Sequence, residues 1–121
     1  RDDLLVKQDK GAWPNYFPSA RFIPAVEYIQ ANRARSLLIE QLIKSLKGLD
    51  LYVSPSFSTN LTATNLSGHP CVVLPNGFNA AGLPTSITFM GQLFGEGKLL
   101  QAAQVYQSIT DFHKKHPEIN L

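Results

Sequence analysis

The fold is decided by residues 71–90, which read CVVLPNGFNAAGLPTSITFM. The stretch opens with the apolar run Cys71–Leu74, which is typical of a strand covered on both faces. It closes with alternation over Thr85–Met90, which predicts a second strand with Thr85, Ile87 and Phe89 on one face. Residues 75–84 hold two glycines and two prolines, so they predict a connection rich in turns. This part of the chain is therefore predicted to form two strands of a sheet.

A long helix is predicted on the N-terminal side, from Pro24 to Lys47, because apolar residues recur there at helical spacing. Pro24 suits the first turn of a helix, where a missing backbone N–H costs nothing. Gly48 then supplies the residue best able to take the left-handed conformation that follows many helix ends. The stripe expected to face inward comprises Val26, Ile29, Ala34, Leu37, Leu38, Leu42 and Leu46.

A second amphipathic helix is predicted from about Lys98 to about His113. Its expected inward face comprises Leu99, Ala102, Ala103, Tyr106 and Ile109. Residues 51–54 predict a short buried strand, which Pro55 ends. Residues 55–69 are rich in Ser, Thr, Asn and Gly and predict an irregular segment that reaches the surface.

The order helix, strand, loop, strand, strand, helix places the chain in the α/β class. We expect a small mixed β-sheet covered by the two long helices, and we interpret it as a slice of a larger α/β/α sheet. Three short strands leave the sheet edges uncovered, so we expect self-association through those edges. Residues 1–21 show no clear period and predict a loop-rich N-terminal arm, which leaves residues 22–121 as the folded portion.

Composition narrows the possible classes of protein. Hydrophobic residues make up 44% and charged residues 17% of the 121 residues, as in a globular protein rather than a disordered one. The formal charge of +2 comes without a basic stripe, which argues against a nucleic-acid partner. No apolar run approaches the roughly 20 residues that cross a bilayer, so no membrane association is expected. Cys71 is the only cysteine, which excludes an intrachain disulfide and suits a cytoplasmic location.

Four stretches, in this order, together resemble the amidase-signature family. The first is YIQANRAR (28–35), leading through the long helix to DLYVSP (50–55), and the second is NLSGHPCVVLP (65–75). The third combines GF (77–78) with GLPT (82–85), and the fourth starts at GQLFGE (91–96) and ends near His113. The resemblance extends over residues 22–117. The four stretches in this order are specific for the family, whereas any one of them alone is not.

The resemblance implies a carbon–nitrogen hydrolase with a Ser–cis-Ser–Lys triad, in which serine attacks an amide carbonyl and backbone N–H groups stabilise the oxyanion. In that family the loop with adjacent serines and the lysine lie upstream of the matching motifs. This chain contains no two adjacent serines and begins at Arg1 without an initiator methionine. We therefore assign no catalytic residue and expect a C-terminal fragment of an amidase, inactive without the remainder of the parent enzyme.

The candidate substrate-binding residues are Thr64, Asn65 and Ser67, because the family places this turn beside the cleft for a small-molecule amide. Ser67 and His69 could suggest a hydrolase dyad, but side chains two positions apart generally point apart, and no G-x-S-x-G elbow is present. The preferred interpretation is that residues 65–70 form a tight turn before the strand.

A metal site is a weaker alternative. His69, Cys71, His113 and His116 have the right ligand types for zinc. Cationic side chains are favoured at helix C-termini in any case, and Lys114 and Lys115 would repel a metal ion. We therefore expect neither a metal nor a cofactor.

Two further functions stay open. The glutaminase-type subunit of a tRNA-dependent amidotransferase belongs to the same superfamily and typically carries an Asp about seven residues before the turn. Here Ser58 is near that position, and no acidic residue lies between Asp50 and Asn65, so a general amidase fits better. The other alternative is a free-standing, non-catalytic binding or assembly domain. The sequence does not identify the amide substrate.

Overall fold

The helices and strands of the computed structural model follow the predicted order, with two additional helices. The structure describes Asp9 and residues 11–116. Its elements are helix α1 (Trp13–Ala20), helix α2 (Ala25–Ser45), strand β1 (Leu51–Pro55), helix α3 (Thr59–Ser67), strand β2 (Cys71–Phe78), strand β3 (Pro84–Gly91), helix α4 (Glu96–Ile109) and a 3-10 helix (Phe112–Lys114). They form two compact units, one ending at Arg35 and the other beginning at Ser36.

The first unit contains a helix in the segment that was predicted to be a loop-rich arm. Helix α1 tolerates its first proline, Pro14, because that residue occupies one of the first two helical positions. The Trp13 ring lies 6.1 Å from the ring of Tyr16 and 6.3 Å from that of Phe17, contacts that helical spacing creates. Apart from Asp9, the arm before Gly11 lies outside the described residues. The domain division after residue 21 stays a prediction.

Helix α2 confirms the long helix, but its apolar stripe does not face inward as expected. No residue of α2 is buried, and Val26, Ile29 and Leu37 are all more than half exposed. Only Leu46, just beyond the helix end, is buried. The amide Nε2 of Gln92 donates to the carbonyl oxygens of Leu46, at 2.9 Å, and Leu49, at 2.6 Å. These two bonds attach the segment that follows α2 to the end of β3. The carbonyl oxygen of Leu46 also accepts from the backbone N–H of Leu49.

The three strands form a sheet in the order β1-β3-β2, and both strand pairs are antiparallel. The α/β class is confirmed, whereas the mixed pairing expected within the sheet is not found among these strands. The β2–β3 pair is antiparallel because the short turn between these two strands reverses the chain. The side-chain oxygen of Asn79 accepts hydrogen bonds from the backbone N–H groups of Ala81 and Leu83, and Gly82 takes a positive φ of 75°.

One face of the sheet packs against α4 and forms the core of the second unit. Leu74, Phe89, Leu99 and Ala103 are its buried members. The Phe89 ring meets the edge of the Tyr106 ring at a centroid distance of 5.7 Å.

The inward face predicted for α4 is confirmed except at Ile109, which is 77% exposed. At 3.6 residues per turn, Ile109 lies about 90° around the helix from the line of Leu99, Ala103 and Tyr106. It therefore lies on a flank of α4, beside the face that meets the sheet.

Candidate functional site

The sheet face opposite α4 carries hydroxyl groups at its centre. Directly paired residues share a face, so Ser54 of β1 and Thr88 of β3 lie side by side there, next to Met90 in the adjoining row. All three are buried. A buried hydroxyl group is costly unless it is hydrogen-bonded. Thr88 Oγ1 donates to Ser56 Oγ at 3.0 Å, and Ser54 Oγ donates to the carbonyl oxygen of Pro55 at 3.1 Å.

The segment between β1 and β2 lies against this polar face. The phenol of Tyr52 donates to Asn60 Oδ1 at 3.4 Å, and Asn60 Nδ2 donates to Ser58 Oγ at 3.2 Å. Burial, and to a smaller extent Cys71, raise the pKa of Tyr52 above its ordinary value. The phenol is therefore protonated at neutral pH and available as a donor.

Helix α3 occupies the segment that was predicted to be irregular. Its nine residues, TNLTATNLS, have low helix propensity, and that composition is why the sequence does not indicate a helix. The helix forms because it buries Thr64 and Ser67 and because Gly68 ends it in the left-handed conformation, at φ 77°. Thr64 Oγ1 lies 3.1 Å from the backbone carbonyl oxygens of both Asn60 and Leu61 and bonds within its own helix.

The structure divides the three predicted substrate-binding residues between two sides of α3. Thr64 and Ser67, three positions apart, share the buried side, with 4% of each residue exposed. Asn65 lies on the exposed side. Their contact with a substrate stays a prediction.

Ser67 and His69 form a buried pair, although their spacing predicted that they would point apart. His69 Nδ1 lies 2.7 Å from Ser67 Oγ. Gly68 explains the difference, because its left-handed conformation turns the chain so that His69 folds back towards Ser67. Serine beside a neutral imidazole is the pair that general-base activation requires. Both side chains are buried here, so Ser67 Oγ is not open to a substrate carbonyl.

The imidazole of His69 is isolated on its other side. His69 is 6% exposed, and its buried Nε2 has no hydrogen-bond partner among the described residues. Burial lowers the pKa of His69 below its ordinary value, because the charged form loses hydration. This histidine is therefore neutral at physiological pH.

Acid is expected to destabilise the second unit through His69. Its folded-state pKa lies below the unfolded value of about 6.5. At pH values between these two pKa values, the unfolded chain binds a proton that the folded chain does not. Stability is therefore complete above about pH 6.5 and is lost as the pH falls towards the folded-state pKa. Urea midpoints followed by circular dichroism between pH 5 and pH 8 test this.

The matched variants separate His69 from the carboxylates, which also respond to acid. His69→Asn should show a weaker fall of the midpoint with pH. His116→Asn, at an exposed position, should keep the full fall. Equal pH profiles for His69→Asn and the unaltered chain would contradict the assignment.

The other candidate ligands do not form a cluster. Within residues 11–116 and Asp9, no three His, Cys, Asp or Glu side chains come close enough to hold a metal ion. In that same part of the chain, no helix has both the length and the hydropathy that a membrane crossing requires.

Comparison with known proteins gives relatives that include A subunits of glutamyl-tRNA(Gln) amidotransferases. The chain is 34% identical to the protein of this name from Endomicrobium trichonymphae, over 76% of this chain and 22% of the relative. It is 30% identical to that of Marinobacter nauticus, over 86% of this chain and 25% of the relative, and 32% identical to that of Bordetella avium, over 74% and 22%. The chain thus spans about a quarter of the length of these curated relatives. No protein-family model matches it, and no solved structure matches it.

Proposed function

We propose that this chain is the C-terminal part of an amidase-signature hydrolase that cleaves amide carbon–nitrogen bonds. In that enzyme it supplies three strands, the covering helix α4 and one wall of the substrate cleft. The similarity to the amidotransferase relatives over three-quarters of the chain carries this proposal. We place the serine and lysine of the triad in the part of that enzyme that precedes these motifs. The match spans only 22% of the Endomicrobium trichonymphae protein, which leaves room for them.

The proposed cleft wall is the α3 segment with Thr64, Asn65 and Ser67. Asn65 is the exposed member, so its amide is free to approach a substrate amide, donating through Nδ2 and accepting through Oδ1. Thr64 and Ser67 lie on the buried side of α3 and support Asn65 from there. Thr64 bonds within α3, and Ser67 holds His69, so both fix the helix that presents Asn65.

The parent enzyme is proposed to be a general amidase. Ser58 lies near the position where the amidotransferase subunits typically carry an acidic residue, and it precedes the first residue of α3. The nearest earlier carboxylate, Asp50, is exposed and bound to the ammonium group of Lys98. The described residues of this segment therefore offer no free carboxylate to a substrate amino group. The amidotransferase subunit is the second candidate, favoured by the names of the relatives.

The test is a chimera in which this chain replaces the matching segment of the Endomicrobium trichonymphae protein. We expect a fluorophosphonate probe to label the chimera at a serine in the relative's portion. The isolated 121-residue chain should neither react with the probe nor release ammonia from glutamine, benzamide or acetamide. Reproducible labelling of the isolated chain, or a folded chimera that the probe does not label, would refute the proposal.

A substitution in the chimera separates the two enzyme types. If the missing carboxylate explains a preference for neutral amides, Ser58→Asp should raise glutamine hydrolysis relative to benzamide hydrolysis. Thr59→Asp, one residue further along, is the matched control and should leave that ratio unchanged. If the chimera without any substitution already hydrolysed glutamine in preference to benzamide, the result would favour the amidotransferase subunit instead.

A further inference from the structure

A groove of about 500 Å³ lies between β1 and α4 on the apolar side of the sheet. Leu51, Ala102 and Val105 are its apolar lining residues, and Asp50, Lys98 and Gln101 complete it. The four residues from α4 lie at positions 98, 101, 102 and 105, the i, i+3, i+4, i+7 spacing of a helix face. One flank of α4 therefore borders this groove.

Exposed apolar side chains continue the groove at its far end. Val53 shares the sheet face of Leu51, two residues further along β1, and is 54% exposed. Ile109 follows Val105 by one helical turn and is largely exposed. β1 is an edge strand of the sheet, so no strand of the described part of the chain covers this side. Contiguous apolar side chains bordered by polar residues are a feature of interaction sites.

The polar end of the groove is neutral. Asp50 and Lys98 bind each other, so their opposite charges cancel at its mouth. A charged ligand would gain little there, whereas an apolar partner would cover Leu51, Val53 and Val105. Helices that cover one sheet pack side by side, about 8–10 Å apart. A second helix packed at that distance from α4 would cover this flank and the part of β1 beside it.

We propose that this groove holds an amphipathic helix from the part of the parent hydrolase that this chain does not contain. The inference rests on the proposed function, because the relatives have about three-quarters of their length outside the match. That unmatched length is the source of the occupant. The helix packs its apolar stripe on Ala102, Val105 and Ile109 and crosses above Leu51 and Val53.

Photocrosslinking in the chimera tests the proposal. A benzophenone amino acid at position 105 should crosslink to one segment of the relative's portion, identified by peptide mass spectrometry. The same group at position 104, on the outer side of α4, should give a several-fold lower yield. A crosslink from position 105 to a second copy of the chain, or equal yields from the two positions, would overturn the proposal.

A substitution gives a second readout that does not depend on crosslinking. Val105 is exposed in the isolated chain, so Val105→Glu should leave the melting temperature of that chain unchanged. In the chimera it should lower the melting temperature by several degrees, whereas Gln104→Glu should not. If Val105→Glu left the melting temperature of the chimera unchanged, Val105 would not be buried in the chimera and the proposal would be contradicted.

Probe labelling of the same samples keeps this inference separate from the proposed function. A chimera that crosslinks at position 105 but does not react with the fluorophosphonate would support the groove and refute the hydrolase. A chimera that the fluorophosphonate labels but that gives no crosslink from position 105 would refute only the proposed occupant of the groove.

Discussion

Phe89→Ala is expected to lower the free energy of unfolding of the second unit by about 3–5 kcal/mol. Phe89 is 8% exposed, lies between Val53 and Val72 in the sheet and meets the ring of Tyr106. Removing its ring leaves a cavity beneath α4 that the surrounding strands cannot fill. Small domains are stable by only about 5–15 kcal/mol, so the variant should be largely unfolded under mild denaturing conditions. Urea unfolding followed by circular dichroism measures the loss.

Two other variants show whether the loss comes from the core. Ile109→Ala shortens a side chain at an exposed position and should change the stability by no more than about 0.5 kcal/mol. Phe89→Leu keeps most of the buried volume and should cost clearly less than Phe89→Ala. A loss for Ile109→Ala as large as that for Phe89→Ala would contradict the packing of α4 described above.

Gly77→Ala should cost about 1–3 kcal/mol because of the backbone alone. Gly77 has φ 127°, a region almost reserved for glycine, and it follows the register shift in β2. An added Cβ would lie 3.5 Å from the ring of Phe112, which is an ordinary contact, so crowding contributes little. The expected loss is therefore conformational strain, measurable as a lower urea midpoint with an unchanged slope.

Gly97→Ala is the matched control and should have the opposite sign. Gly97 lies in the first turn of α4, its φ is not positive, and no atom lies within 4 Å of an added Cβ. Alanine is favoured over glycine in a helix by about 0.5–1 kcal/mol, so this variant should be slightly more stable than the unaltered chain. If both glycine variants were destabilised alike, the positive φ of Gly77 would not be the cause.

The amino-acid sequence by itself determined the elements whose side chains follow a strong period. The alternation of Thr85–Met90 predicts β3, and the spacing of Leu99, Ala103 and Tyr106 predicts the buried side of α4. In α4 local pattern and tertiary burial agree, because the side chains that set the period also form the core. In β3 the alternation identifies the strand, but Thr88 and Met90, on the other face from Phe89, are buried as well. The glycine after α2 was predictable for a similar reason, since its left-handed conformation is a local property of the chain.

Tertiary structure alone decided the features that depend on contacts between distant residues. Helix α3 has poor propensity and forms where Thr64 and Ser67 become buried, and the Ser67–His69 contact depends on the conformation of Gly68 between them. The antiparallel order β1-β3-β2 fixes which face of each strand meets α4 and which carries hydroxyl groups. Periodicity describes which residues share one face of one element, but burial depends on the free energy of packing that face against another element, and no single segment contains that information.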